Sequence, residues 1–96
     1  MIALLTTLGG KERSVAQDLC DCLYGNGDTQ VRCEPIYPGV LFVEFQRRET
    51  LELCLSMKYF RVLVRRIEIY EKVVRSTETP PGAKKVGDYI FLGRYI

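Results

Sequence analysis

The order of elements along the chain predicts an α+β fold. The expected form is a ferredoxin-like βαββαβ core, with two helices on one face of an antiparallel sheet and an extra C-terminal strand. Three observations predict it. Ile2–Thr7 and Val40–Phe45 are short, nearly continuous apolar runs, as expected of central strands covered on both faces. Val15, Ala16, Leu19, Cys22 and Leu23 recur at helical spacing, with charged and polar residues filling the other side. Glycine and proline clusters separate these segments where turns are needed.

Taken in order, Ile2–Thr7 is the first strand, broken by Gly9-Gly10. The helix that follows ends at Tyr24-Gly25-Asn26-Gly27-Asp28, where a glycine accepts left-handed backbone. Thr29–Glu34 alternates and reads as a half-exposed strand. Pro35–Gly39 is a connection in which Pro38-Gly39 suits a type II turn. Val40–Phe45 is the next strand. Glu49–Met57 reads as a second helix, although Leu53 falls off its apolar stripe. Tyr59–Val74 is β-branched and aromatic and reads as strand. Its apolar phase shifts near Arg65-Arg66, which predicts a bulge or two joined strands. Ser76–Lys85 reads as a loop and Gly87–Ile96 as a final strand. Neither an internal repeat nor a linker divides residues 1–96, so one domain is expected.

Composition narrows the function classes. The 96 residues are 47% hydrophobic and 27% charged, which argues for a folded chain. No apolar run approaches a membrane span, and the N-terminus lacks the basic flank of a secretion signal, so a cytoplasmic protein is expected. There is no His. The commonest proton shuttle, a common zinc ligand and the usual activator of Ser or Cys are therefore missing. No carboxylate pair is placed to act as acid and base, so the chain is not expected to be an enzyme or to hold a metal or cofactor.

Charge is uneven. Residues 1–57 carry a net −3 and residues 58–96 a net +5. Nine of the 14 bases are Arg, the cation suited to bidentate phosphate contact. Three basic features stand out. Thr6–Glu12 joins a strand to a helix through two glycines, and backbone N–H groups there, with Lys11 and Arg13, suit a phosphate. In a strand, Tyr59, Arg61 and Arg65 share one face, next to Arg66, which places a stacking ring among cations. Lys84 and Lys85, with Arg94 on the last strand, suit a phosphate backbone.

The four cysteines, Cys20, Cys22, Cys33 and Cys54, have no metal-binding spacing. Cys20 and Cys22 lie on nearly opposite sides of a helix and cannot chelate one ion. In the cytosol they are expected to be small buried hydrophobes, with a Cys33–Cys54 or Cys20–Cys54 bridge as the alternative.

Two families share residues with this chain. Leu4-Leu5-Thr6-Thr7-Leu8-Gly9-Gly10-Lys11-Glu12, then Tyr37-Pro38-Gly39-Val40-Leu41-Phe42-Val43-Glu44, then Tyr59-Phe60-Arg61-Val62-Leu63-Val64, resemble archaeal THUMP domains over about residues 2–74. That resemblance implies an accessory module that holds tRNA for a separate tRNA-modifying enzyme. The chain departs from the THUMP pattern in lacking a proline between Val62 and Ile67 and in a shorter C-terminal part. Thr6-Thr7, Gly9, Glu12, Val15-Ala16 and the Gly39–Glu44 strand are also similar to the N-terminal domain of NusG-type elongation factors. This second resemblance implies a polymerase-binding interaction module. A homodimer through an exposed last strand is a further expectation of the interaction class.

Overall fold

Residues 1–95 are described by the computed structural model. In chain order they form β1 (Ile2–Thr7), α1 (Glu12–Gly25), β2 (Arg32–Tyr37), β3 (Val40–Glu44), α2 (Arg48–Leu55), α3 (Lys58–Leu63), β4 (Val64–Arg75), β5 (Lys84–Val86) and β6 (Tyr89–Tyr95). All six strands join one antiparallel sheet in the order β2-β3-β1-β4-β6-β5. β1 lies between β3 and β4, where its apolar run belongs.

This architecture corrects the expected ferredoxin-like βαββαβ core. The sheet is a curled half-barrel of six strands, and the helices are three and short. The physical difference lies on the face away from the helices. β4 is 12 residues long and runs past the end of β1, whose register stops at Ile2↔Tyr70. Its overhanging end carries β6 and β5 round over that face. There Ile2, Leu4, Phe42, Tyr70 and Phe91 form a second buried cluster. At Gly87 the β5–β6 turn comes up to β2, so that a Cβ there would lie 3.7 Å from the Ile36 carbonyl oxygen. The sheet thus folds its own edge over a surface that a flat two-layer sandwich leaves to solvent.

Gly93 makes the curl feasible. Its φ is +71, and a Cβ at this position would meet the Glu71 Cβ at 2.8 Å. The β4–β6 ladder skips this pair, between Tyr70↔Arg94 and Lys72↔Leu92. Glycine supplies both the backbone conformation and the close approach.

The larger core lies under the helices. Ala3 and Leu5 of β1 and Leu41 and Val43 of β3 meet Val15, Leu19 and Leu23 of α1. Alternation in β1 sends Ala3 and Leu5 to this core and Ile2 and Leu4 to the other, which is why the strand reads as an unbroken apolar run. In α2, Leu51 and Cys54 are buried, whereas Leu53, the residue off the stripe, is exposed.

Several segment boundaries differ from expectation. β2 starts three residues later than read and includes Pro35, which the sheet accepts because β2 is an edge. Gly39 has φ +76 in the turn after Pro38, and Thr7 donates its N–H to the Gly39 carbonyl at 2.8 Å. Residues 58–63 are helical rather than extended. Phe60 and Leu63, at i and i+3, pack toward the helix-side core, and that packing outweighs the local β-preference of the aromatic and β-branched side chains. The phase shift near Arg65-Arg66 is a register irregularity: Arg66 faces Thr6, but Val64 faces Thr7.

The cysteines are also corrected. They form two disulfides, Cys20–Cys33 between α1 and β2, and Cys22–Cys54 between α1 and α2. Neither is a pairing that the sequence suggested. The opposite directions of Cys20 and Cys22 hold, and send each to its own partner. Asp28, 1% exposed, completes the α1–β2 connection. Its Oδ2 accepts the N–H groups of Gln46 at 2.7 Å and Arg47 at 3.1 Å, which serves the start of α2.

The expected edge position of the last strand is corrected in part. β6 is covered by β5 over Tyr89–Phe91, and among the described residues no strand pairs with it on that side from Leu92 on. Among the described residues, no helix is long and apolar enough to cross a membrane.

Candidate nucleic-acid interface

The start of α1 and the short α3 stand side by side, because the Leu63 carbonyl accepts the Leu8 N–H at 3.1 Å and holds the end of α3 against the β1–α1 turn. Between them is a groove of about 490 Å³ lined by Lys11, Ser14, Lys58, Tyr59, Val62 and Leu63. Lys58, Tyr59 and Val62 fall at i, i+1 and i+4, one face of α3. The floor is apolar: Tyr59 is 44% and Val62 60% exposed, although both present hydrophobic surface. Two ammonium groups can reach the rims.

The Tyr59 ring is held in place. It stands edge-on to the buried Phe60 ring, with centroids 5.0 Å apart and planes at 83°. The neighbouring Asp18 carboxylate, ahead of burial, pushes the Tyr59 pKa up. The hydroxyl therefore stays protonated at neutral pH, and the side chain remains partly exposed in the groove.

At the start of α1, where the sequence suits a phosphate, the structure also sets an acid. Glu12 supplies that helix end with a carboxylate of its own. Backbone N–H groups of Glu12 itself, Gly39 and Gly10, with the Arg13 charge, hold its pKa below the usual range against the opposing effect of burial. Its Oε2 is buried and makes no hydrogen bond, so those groups act on it as oriented dipoles. An incoming anion would face this acid. Arg13 lies apart from the groove, in a separate depression of about 330 Å³ with Glu12, Pro35, Tyr37 and Pro38.

The remaining predicted residues divide into two groups. Arg61 is exposed on α3, and Arg65 and Arg66 are exposed at the start of β4. None of these three forms an ion pair among the described residues. The expected common face of Tyr59, Arg61 and Arg65 does not exist, because two helical steps turn Arg61 away from Tyr59. Lys84 and Arg94 are committed elsewhere. Lys84 Nζ meets Glu68 Oε1 at 2.9 Å and Arg94 meets Glu68 Oε2 at 3.5 Å. Glu68 is 8% exposed and also accepts the Tyr70 hydroxyl at 3.1 Å. Chiefly the Lys84 hydrogen bond holds its carboxyl below the usual range, although burial opposes this. Both bases neutralise a buried acid under the curled sheet, where the sequence placed them on phosphate. Lys85 is exposed on β5.

Ser14, Lys58 and Val62 line the groove without having been singled out as site residues. The signal was present: a helical reading of 58–63 puts Lys58, Tyr59 and Val62 on one face. Among the described residues, no cluster of His, Cys, Asp or Glu is placed to hold a metal ion.

Fold and groove together define a small α+β protein with a curled antiparallel sheet and a basic, aromatic-floored cleft on its helix side. The chain belongs to the DUF3195 family: the protein of unknown function (DUF3195) N-terminal domain matches residues 2–68, and the DUF3195 C-terminal domain matches residues 70–96. The two matches meet inside β4, so the single sheet continues across the boundary between them. They link the chain to neither THUMP domains nor NusG. A search of the curated proteins finds no match.

Proposed function

We propose that this protein is an RNA-binding accessory module, with tRNA as its RNA, serving a modification carried out by a separate enzyme. The observation that supports this reading is the α1–α3 groove, which Lys11, Lys58 and Tyr59 line together. Cations track phosphates while an aromatic face takes an unstacked base, a combination that suits irregular or single-stranded RNA. Arg61, Arg65 and Arg66 continue the positive field from α3 into β4. Lys84 and Arg94 are left out, since Glu68 holds them.

The test is the salt dependence of binding to labelled tRNA. Each lost phosphate contact flattens log affinity against log salt by about 0.7–0.9. Lys11→Ala with Lys58→Ala flattens the slope, as does Arg65→Ala with Arg66→Ala. An unchanged slope in the first pair removes the groove from the RNA contact.

The second reading is a protein-interaction module. The 60% exposure of Val62 in a groove with an apolar floor favours it. Retention of a protein partner by immobilised protein, with no tRNA bound at low salt, would decide for it.

A further inference from the structure

The two walls of the groove, α1 and α3, are tied to each other at both ends. At one end the Leu63 carbonyl accepts the Leu8 N–H. At the other, the Met57 N–H donates to the Cys54 carbonyl at 3.1 Å, and Cys54 is bonded through sulfur to Cys22 of α1. Met57 immediately precedes Lys58 and Tyr59, and its Sδ lies 4.0 Å from Cys22 Sγ. The Lys58–Tyr59 end of α3 is therefore fastened to α1 through that bridge. Cys20–Cys33 joins α1 to β2 and holds neither α2 nor α3.

The Cys22–Cys54 bridge is open to attack from one side. Cys54 is fully buried, but Cys22 is only half-buried. Beside both sulfurs lies the exposed side chain of Asn26, with its Nδ2 3.6 Å from Cys22 Sγ and 3.9 Å from Cys54 Sγ. One N–H of that amide serves the Cys22 carbonyl at 2.7 Å, and the other is left for a sulfur. A thiolate released there gains a hydrogen bond to its charge, which favours cleavage of the disulfide.

We infer that the Cys22–Cys54 disulfide is a redox switch of the groove: a dithiol reductant opens it, frees the Lys58–Tyr59 end of α3 from α1, and weakens RNA binding. A thiol of the reductant loses its proton and attacks Cys22 Sγ. Cys54 leaves as a thiolate and takes up a proton. The second thiol of the reductant then attacks the mixed disulfide and releases Cys22, which is protonated in turn. Two electrons pass to the protein, which gains two thiols, and the reductant leaves as a disulfide. The fold outlasts the change, because Leu51 and Phe60 keep α2 and α3 in the helix-side core. The weakening of RNA binding rests on the proposed function, whereas the opening of the groove does not. Coupling is reciprocal, so bound RNA holds the disulfide closed by the same factor.

The test compares oxidised and dithiothreitol-treated 15N-labelled protein carrying Cys20→Ala with Cys33→Ala, in which one bridge alone can respond. The parent protein is measured alongside and carries the test if the variant does not fold. Alkylation and mass measurement report that the bridge is open. The expected result is shifts and faster hydrogen exchange at the amides of Ser56–Val62, with those of β1 and β4 unchanged. The Kd for labelled tRNA rises about tenfold or more, and reoxidation restores it. Cys22→Ala with Cys54→Ala binds like the reduced protein and does not respond to dithiothreitol. Unchanged Ser56–Val62 amides after reduction overturn the inference. So does loss of the whole amide pattern, which would make the bridge a staple of the fold. Equal tRNA affinity in the two forms overturns the control of RNA binding. Failure of the oxidised protein to bind tRNA at low salt overturns the RNA reading itself, and the amides still decide whether the groove opens.

Discussion

Lys84 Nζ lies 2.9 Å from Glu68 Oε1, and Glu68 is 8% exposed. A lysine that the sequence places in a phosphate-tracking loop is thus the main partner of a buried acid. Arg94 and the Tyr70 hydroxyl complete the shell around that acid. The arrangement joins β5 and β6 to β4 and helps hold the curled sheet over its second core.

Lys84→Met is expected to destabilise the protein by about 1–3 kcal/mol, toward the lower end because Arg94 and Tyr70 remain. The pH dependence follows from the lowered pKa of Glu68. A carboxylate with a depressed folded-state pKa contributes stability that is fully present above its unfolded value and is lost as pH falls through the folded one. Removing Lys84 raises the folded value, so acid unfolding begins at higher pH. Circular dichroism along an acid titration of both proteins checks this. The slope of tRNA binding against salt is expected not to change.

Gly93→Ala forces a side chain into a left-handed conformation and against the Glu71 Cβ. The backbone contributes about 1–2 kcal/mol, and the contact adds a further cost of about 1 kcal/mol or more. The expected loss is about 2–4 kcal/mol in denaturant unfolding. Gly9→Ala, a position where a Cβ meets nothing within 4 Å, serves as the comparison and is expected to cost much less. Equal losses at the two positions would show that Gly93 does not enable the curl.

Native protein denatured without reductant is expected to take up no alkylating agent, and reduced protein to take up four equivalents, one for each cysteine. Cys20–Cys33 spans 13 positions and Cys22–Cys54 spans 32. Loop-closure entropy assigns about 3 kcal/mol to the first and nearer to 4 kcal/mol to the second. The two loops overlap along the chain, so the losses are not expected to add. Thermal melts of Cys20→Ala with Cys33→Ala, and of Cys22→Ala with Cys54→Ala, test the order.

If Tyr59 stacks on a base, Tyr59→Ala weakens RNA binding by about 1–3 kcal/mol without altering the salt slope. Tyr59→Phe keeps the ring and loses only the hydroxyl, so it is expected to bind nearly as well as the parent. Anisotropy titrations at two salt concentrations separate the stacking contribution from the electrostatic one. Comparable loss in both variants would mean that the hydroxyl, not the ring, makes the contact.

Much of the secondary structure was legible because local patterns carried it. Val15, Leu19 and Leu23 at helical spacing marked α1, and Pro38-Gly39 marked the turn that Gly39 makes with positive φ. The candidate site was legible only in part. Lys11 and Tyr59 were named, and they meet across the groove. Lys58 and Val62 were passed over because Tyr59–Val64 alternates like a strand. Only the burial of Phe60 beneath the helix-side core turns that segment into a helix. The disulfides were missed because cysteine spacing says nothing of which thiols a fold brings together.

By itself, the sequence determined the periodicities: strands where apolar residues run on, a helix where they recur every three or four positions, turns where glycine relieves the backbone, and an excess of base after residue 57. Tertiary structure alone decided how the sheet ends, which acids those bases meet, and which cysteines pair. Periodicity is a property of neighbours along the chain. The curl over Phe42 and Phe91, the capture of Lys84 by Glu68, and the reach of Cys22 to Cys54 are contacts between distant segments, set by how the two cores exclude water.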